Sequence, residues 1–177
     1  MGVSSYIASM RQHIGHDLLL LPAAGVVPLD EDGRALLVRQ ADDGKWGILG
    51  GAIDPDEAPA DAARREALEE AGVEVELVAL HAVVGGPRFR MYYPNGDVVS
   101  YVGVIYEGRV TGGAPQPDGD EIVETGWFSG AELPSLPMNA FTRALVEEAR
   151  LAEWVKPPLA LGGTPLGAPV QCTWPAP

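Results

Sequence analysis

Apolar and polar positions along this chain follow two different periods, and the switches between them mark out its elements. Tyr6, Ile7, Met10 and Ile14 recur at helical spacing behind Ser4 and Ser5, residues suited to capping a helix start. The expectation is an N-terminal helix within residues 1–16 that packs on the domain or on a second subunit. Residues 17–28, DLLLLPAAGVVP, read as a buried strand interrupted by Pro22, which must lie at an edge, a bend or a bulge. Asp30-Glu31-Asp32-Gly33 predicts a hairpin turn into a strand over 35–38, and residues 46–49 form a further extended segment. Strands are predicted at 74–84, 89–93 and 98–107, the last two joined through Pro94-Asn95-Gly96-Asp97. A Gly, Pro and Asp loop over 111–120 leads to a strand at 122–128, and a helix is predicted over about 138–154.

The segment 59–71 has the strongest helical character. Pro59 suits a first turn, where its missing N–H would have no partner, and Asp61 sets a negative charge near the positive end of the dipole. Good helix formers follow as far as Ala71, and Gly72 supplies a left-handed stop. Ala60, Ala63, Ala67 and Ala71 recur at three and four residues as a smooth face that lets the helix lie close to a sheet. That leaves Glu66, Glu69 and Glu70 facing elsewhere. At i, i+3 and i+4 they share one side of the helix, with Cβ atoms about 5–6 Å apart. One reading is a solvated acidic face with Arg64 and Arg65 supplying ion pairs. The other is a cation site, because hard divalent ions of the magnesium type accept carboxylates and complete their shell with water and substrate phosphate.

Length and charge narrow the chemistry. The 177 residues suit one domain, over 17–154, with a sizeable core. Twenty-five acidic against twelve basic residues give a formal charge of −13, which argues against general affinity for nucleic acid or an anionic membrane. A polyanionic substrate must therefore be met locally. Cys172, the single cysteine, excludes an internal disulfide and makes a reducing compartment the simplest. With no long apolar run and no signal-peptide layout in the first twenty residues, the expectation is a cytoplasmic protein with no membrane partner. The tail, 155–177, holds six prolines and three glycines. Disorder and a surface-hugging arm are both open for it, with Leu159, Leu161, Val170 and Trp174 available to dock.

Gly51, Glu57 and the run Arg65-Glu66-Ala67-Leu68-Glu69-Glu70-Ala71-Gly72-Val73 match the Nudix box at every charged and glycine position. On these residues, with Trp46 before the box and Trp127-Phe128 after it, the chain resembles the Nudix hydrolase family over roughly 18–154. The resemblance implies an α/β fold, the Nudix α/β/α sandwich with a central mixed sheet. It implies Mg2+ or Mn2+ as cofactor, and water attack on the pyrophosphate of a nucleoside diphosphate linked to another group, such as a nucleoside triphosphate or ADP-ribose. A Nudix domain that binds nucleotide without turnover is the alternative. By resemblance, Glu66, Glu69 and Glu70 are metal ligands, joined by a backbone carbonyl of Gly50 or Gly51. Glu57 and Arg65 form a bracing salt bridge, from which Glu57 can still reach a metal through water. The general base is Glu69 or Glu70, or comes from the loop holding Asp118, Asp120 and Glu121, with Glu121 the preferred loop residue.

Two positions depart from the family pattern. Leu49 stands where many members have proline, and Asp56 stands where many have glycine, so a different turn is expected there. Outside the box, strand alternation places Arg88 and Arg90 on one sheet face, as a phosphate clamp or as plain surface charges. Tyr92 and Tyr93 suit base stacking or packing. Tyr93-Pro94-Asn95-Gly96-Asp97 resembles a motif of one bacterial subgroup, and Asn-Gly is equally a recipe for a tight hairpin. Trp46 and Trp127 are read as core supports. His13, His16 and His81 are too scattered for a histidine metal site, and a homodimer through the N-terminal helix is a further possibility.

Overall fold

The structure, a computed structural model, describes residues 4–155. Helix α1 (Ser5–Ile14) starts where the Ser4 hydroxyl accepts the Ile7 N–H at 3.3 Å. Then come β1 (Leu19–Leu29), β2 (Ala35–Gln40), β3 (Trp46–Gly47), β4 (Leu49–Ala52), α2 (Pro59–Ala71), β5 (Glu74–Val84), β6 (Arg90–Tyr92), β7 (Val98–Gly112), β8 (Ile122–Phe128), α3 (Ala140–Glu148) and the single turn α4 (Leu151–Trp154). The strands form one mixed sheet in the order β3-β2-β1-β7-β5, with β4 on β1, β6 on β7 and β8 on β2. Among these strands only β1 and β7 run parallel, paired from Leu19 opposite Val99 to Leu29 opposite Arg109.

Strand alternation divides the core in two. Val27 and Leu37 point to the layer of α3, whereas their neighbours Val26 and Leu36 point to the alanines of α2. The result is the α/β/α sandwich expected from the box. On the α3 side, α1 lays Ile7, Met10 and Ile14 over Leu19, Leu21 and Val99, so the N-terminal helix packs on its own domain. Trp46 is buried beside Phe128 with ring centroids 4.7 Å apart, and Trp127 is partly buried on the α2 side.

Four expectations change. Pro22 lies within the long central strand β1 rather than at a sheet edge. Its carbonyl accepts the Ile53 N–H at 3.1 Å just past the end of β4, and its ring nitrogen lies on that same side, so no bond to β7 is lost. Pro87–Phe89 is a turn of 3-10 helix, which drives Phe89 into the core against Phe141 and delays the strand to Arg90. The last helix breaks at Arg150, held at φ 55°, and the break turns Leu151 and Val155 into the core. Strand β7 runs on to Gly112, beyond its expected end. The proline-rich tail beyond Val155 and Cys172 lie outside the described residues. Among the described residues no helix is long and apolar enough to cross a membrane.

Candidate active site beside the α2 helix

Small residues on both partners bring α2 close to the sheet. Ala62, Ala63, Ala67 and Ala71 are fully buried against Ala24, Val26 and Leu49, while Ala60 is only partly covered. On β4, Gly50 passes so near β1 that a Cβ there would stand 2.6 Å from the Ala24 carbonyl oxygen and the Gly25 Cα. Gly72, at φ 64°, ends the helix as expected.

This close approach draws in two of the three clustered glutamates. Glu66 is fully buried and Glu70 is 7% exposed, on the same side as the alanines, whereas Glu69 stays half-exposed. The three do not share one solvent face, which corrects the expectation that the alanine stripe and the acids part company. Glu70 Oε2 accepts the Gly50 N–H at 3.0 Å. Burial raises the Glu70 carboxyl to about 8, with the charges of Glu66 and Asp118 adding to the rise and the Gly50 N–H opposing it. Burial likewise raises Glu66, against the pull of Arg65.

Arg65 organises the rest, with all five of its donors engaged. Nε and Nη2 reach the two oxygens of Glu57 at 2.8 and 3.0 Å, and Nη2 also donates to the Ala52 carbonyl at 3.2 Å. Nη1 donates to Glu66 Oε1 at 2.8 Å and Glu69 Oε2 at 3.1 Å. Glu57 also accepts the Asp54 N–H at 3.0 Å, so both of its oxygens are engaged, and the Arg65 bond holds it below the usual carboxylate range. The brace expected from the resemblance is present. Asp56, next to it, takes φ 65°, the left-handed geometry glycine would supply, so the expected change of turn does not occur.

Glu66 Oε2 is buried with no hydrogen-bond partner. An orphaned charged oxygen of this kind costs at least about 1–3 kcal/mol, a cost that a cation would offset. Beside it stands Glu70, whose ionised form is also disfavoured until positive charge arrives. Among the described residues no three His, Cys, Asp or Glu side chains are arranged around a common point for an ion. Two carboxylates suffice for a hard divalent ion that keeps water and phosphate oxygens in its shell, so Glu66 and Glu70 fit one. Gly51 of β4 pairs with Ala24 of β1, while the N–H of its neighbour Gly50 turns to Glu70.

One of the loop acids shapes the loop that holds the other two. Asp118 Oδ1 accepts the N–H groups of Asp120, Glu121 and Ile122 at 2.8 to 3.0 Å, which shapes the loop, and its charge is the one felt at Glu70. Glu121 gives its carbonyl to the Ala41 N–H at 2.7 Å, at the entrance of β8.

Arg88 and Arg90 do not share a face. The 3-10 turn sends Arg88 to the opposite side of the sheet, where it pairs with Glu147 and with Glu148 of α3, the latter at 3.3 Å. Arg90, opposite Ser100 and hence Leu20, is exposed on the α2 side. There the sheet extends beyond α2 as an uncovered apolar area formed by Leu20, Pro22, Val83, Tyr92 and Val102; Leu20 is 66% and Val83 63% exposed. It begins where β4 ends, about 10 Å along β1 from Gly50. A separate hollow of about 500 Å³, lined by Asp32, Gly33, Ser129, Gly130 and Val155 among others, contains none of the box side chains.

The NUDIX domain matches residues 19–149, and the chain belongs to the Nudix family. It is 38% identical over 142 residues to a MutT-like protein of Streptomyces ambofaciens, covering 80% of this chain and 84% of that one. It is 34% identical over 111 residues to a putative 8-oxo-dGTP diphosphatase of Bacillus subtilis, covering 63% and 68%. Among solved structures, the MutT Nudix hydrolase of Burkholderia pseudomallei superposes with a TM-score of 0.61 at 29% identity, over 73% of this chain and 98% of that chain.

Proposed function

We propose that this protein is a divalent-cation-dependent pyrophosphohydrolase acting on a nucleoside diphosphate derivative, with a nucleoside triphosphate as the favoured substrate. The observation that carries the reading is the pair Glu66 and Glu70, buried together, one with an orphaned oxygen and the other with its ionised form disfavoured. Glu66 and Glu70 would hold Mg2+ or Mn2+, with Gly50, whose N–H already turns from β1 to Glu70, lending a backbone carbonyl. The ion would supply charge neutralisation on the phosphate and activation of water. Arg65 keeps Glu66 and Glu69 in place and locks the loop to α2 through Glu57. Water attacks one phosphorus, the bridging P–O bond breaks, and the proton passes to Glu69, the one carboxylate of the three that opens to solvent.

The apolar sheet area by Leu20, Pro22 and Val102 is the proposed seat for the base, with Arg90 and Tyr92 at its border. A flat, uncharged area next to an acidic cleft suits an aromatic ring whose attached phosphates reach the cation. The name of the Bacillus relative agrees with a nucleoside triphosphate as substrate. Arg88, committed to α3, is left out of the reading.

The test is a panel of nucleoside triphosphates, 8-oxo-dGTP and ADP-ribose incubated with Mg2+, with the native protein compared against Glu69→Gln, Glu70→Gln and Glu121→Gln. The expected result is cation-dependent release of a nucleoside monophosphate that Glu69→Gln and Glu70→Gln abolish and Glu121→Gln retains. Tight binding of a panel member with no cleavage would instead support a non-catalytic nucleotide sensor.

A further inference from the structure

Helix α1 lies before the matched Nudix domain, yet its one arginine reaches into it. Arg11 is nearly buried, with a side chain 13% exposed. Its Nη1 donates to the Gly15 carbonyl at 3.0 Å and the Asp17 carbonyl at 2.7 Å, at the entry to β1. Its Nη2 donates to the carbonyl of Val98 at 3.1 Å, the first residue of β7. Nε stands 3.4 Å from Asp97 Oδ1, an ionic contact rather than a hydrogen bond.

Asp97 closes the turn between β6 and β7. Its Oδ1 also meets His16 Nδ1 at 2.7 Å, and its Oδ2 accepts from Asn95 Nδ2 at 3.0 Å. The His16 ring lies over Gly96, whose missing Cβ would be 3.7 Å from it. The turn itself is complete without α1, because the Tyr93 N–H donates to the Asp97 carbonyl at 2.9 Å and the Asp97 N–H to Asn95 Oδ1 at 3.0 Å. The apolar side of α1 is likewise attached without Arg11, through Ile7, Met10 and Ile14. Neither the helix nor the turn needs this contact for its own formation. What the contact adds is a fixed relation between the start of β1 and the β6–β7 hairpin, the two pieces that present Leu20, Arg90, Tyr92 and Val102 on the opposite face of the sheet.

We infer that Arg11 is a positioning residue for the base seat, acting from the far side of the sheet through Asp97 and the Val98 carbonyl. The inference rests on the proposed seat. It gives the Tyr93–Asp97 turn a role beyond reversing the chain, since Asp97 is the part of it that α1 grips. Arg11 touches no substrate, so its loss should loosen binding of the base and leave the phosphate chemistry at Glu66 and Glu70 intact.

The experiment compares Arg11→Met, Asp97→Asn and Leu20→Asp with the native protein. It measures hydrolysis of dGTP and ADP-ribose with Mg2+, melting temperature, and backbone amide exchange in the free protein. The expected result for Arg11→Met and Asp97→Asn is a rise in KM of roughly tenfold with kcat within about twofold. Amide exchange should quicken over residues 93–100 and stay slow in α2. Unchanged KM in both variants while Leu20→Asp raises it, or a rise in KM accompanied by a fall in both kcat and melting temperature, would overturn the positioning role. If Leu20→Asp leaves KM unchanged, the seat itself is wrong, and amide exchange alone still reports whether Arg11 steadies the turn.

Discussion

Glu57 and Glu66 both bond to Arg65, and their opposite states explain how one helix separates structure from chemistry. Glu57 takes a bidentate contact from Arg65 and a backbone N–H from Asp54, and its carboxyl is held below the usual range. Glu66 takes one bond, keeps one buried oxygen unpartnered, and is pushed up by burial. The first is a completed ion pair. The second, with Glu70 beside it, is an incomplete acid pair that becomes complete only with added positive charge. Evolution of a stable fold alone has no use for the second arrangement, since a buried carboxylate without full compensation lowers stability.

The comparison breaks most directly at Glu70. Glu70→Gln should reduce metal-dependent hydrolysis by at least about a hundredfold while leaving the metal-free protein as stable as the native one or more so, checked by turnover and thermal melting. Glu57→Gln should do the reverse in stability. Glutamine keeps one acceptor oxygen but loses the charge and turns an NH2 toward the second Arg65 donor, which should cost about 2 kcal/mol by denaturant unfolding, discounted from the fully buried case because both groups are partly solvated.

The two regions also carry opposite pH signatures. The Glu57 carboxyl is lowered in the folded state, so its contribution is present above the ordinary glutamate value of 4.5 and is lost as pH falls through the lower folded value. The Glu70 carboxyl is raised to about 8 from 4.5, so the native state holds a proton that the unfolded chain has released. Metal-free stability then declines as pH climbs between those values and levels off above them. Melting curves from pH 5 to 8.5 should show the native protein losing ground to Glu70→Gln over that window. A constant difference would remove the distinction between the two regions. The smallest effect is at Asp56, where relief of the left-handed backbone by Asp56→Gly should stabilise by about 1 kcal/mol or less and leave hydrolysis unchanged.

Much of this was legible in the residues. Proline at one end and glycine at the other bracket α2, and the apolar runs of β5 and β8 match their strands from end to end. The metal-ligand candidates came from spacing and resemblance. What spacing could not provide was depth. The alanines and Gly50 let α2 approach so closely that Glu66 and Glu70 sink with them, and no periodicity argument sees the partner strand. Arg88 and Arg90 were mispaired because Pro87 opens a 3-10 turn in place of a strand, which rotates Arg88 to the far face. The tie of Arg11 to the β6–β7 hairpin carried no local signal, since its acceptor on Val98 lies 87 residues away.

On the proposed function, Glu66 and Glu70 are held together to receive a divalent cation. Titration calorimetry of metal-free protein with Mn2+ at pH 8 tests it without any substrate. The account predicts uptake by the native protein that weakens as pH is lowered toward 5, and that falls by roughly tenfold or more in Glu66→Gln and in Glu70→Gln. Equal uptake in all three proteins, or none in the native protein, would contradict it.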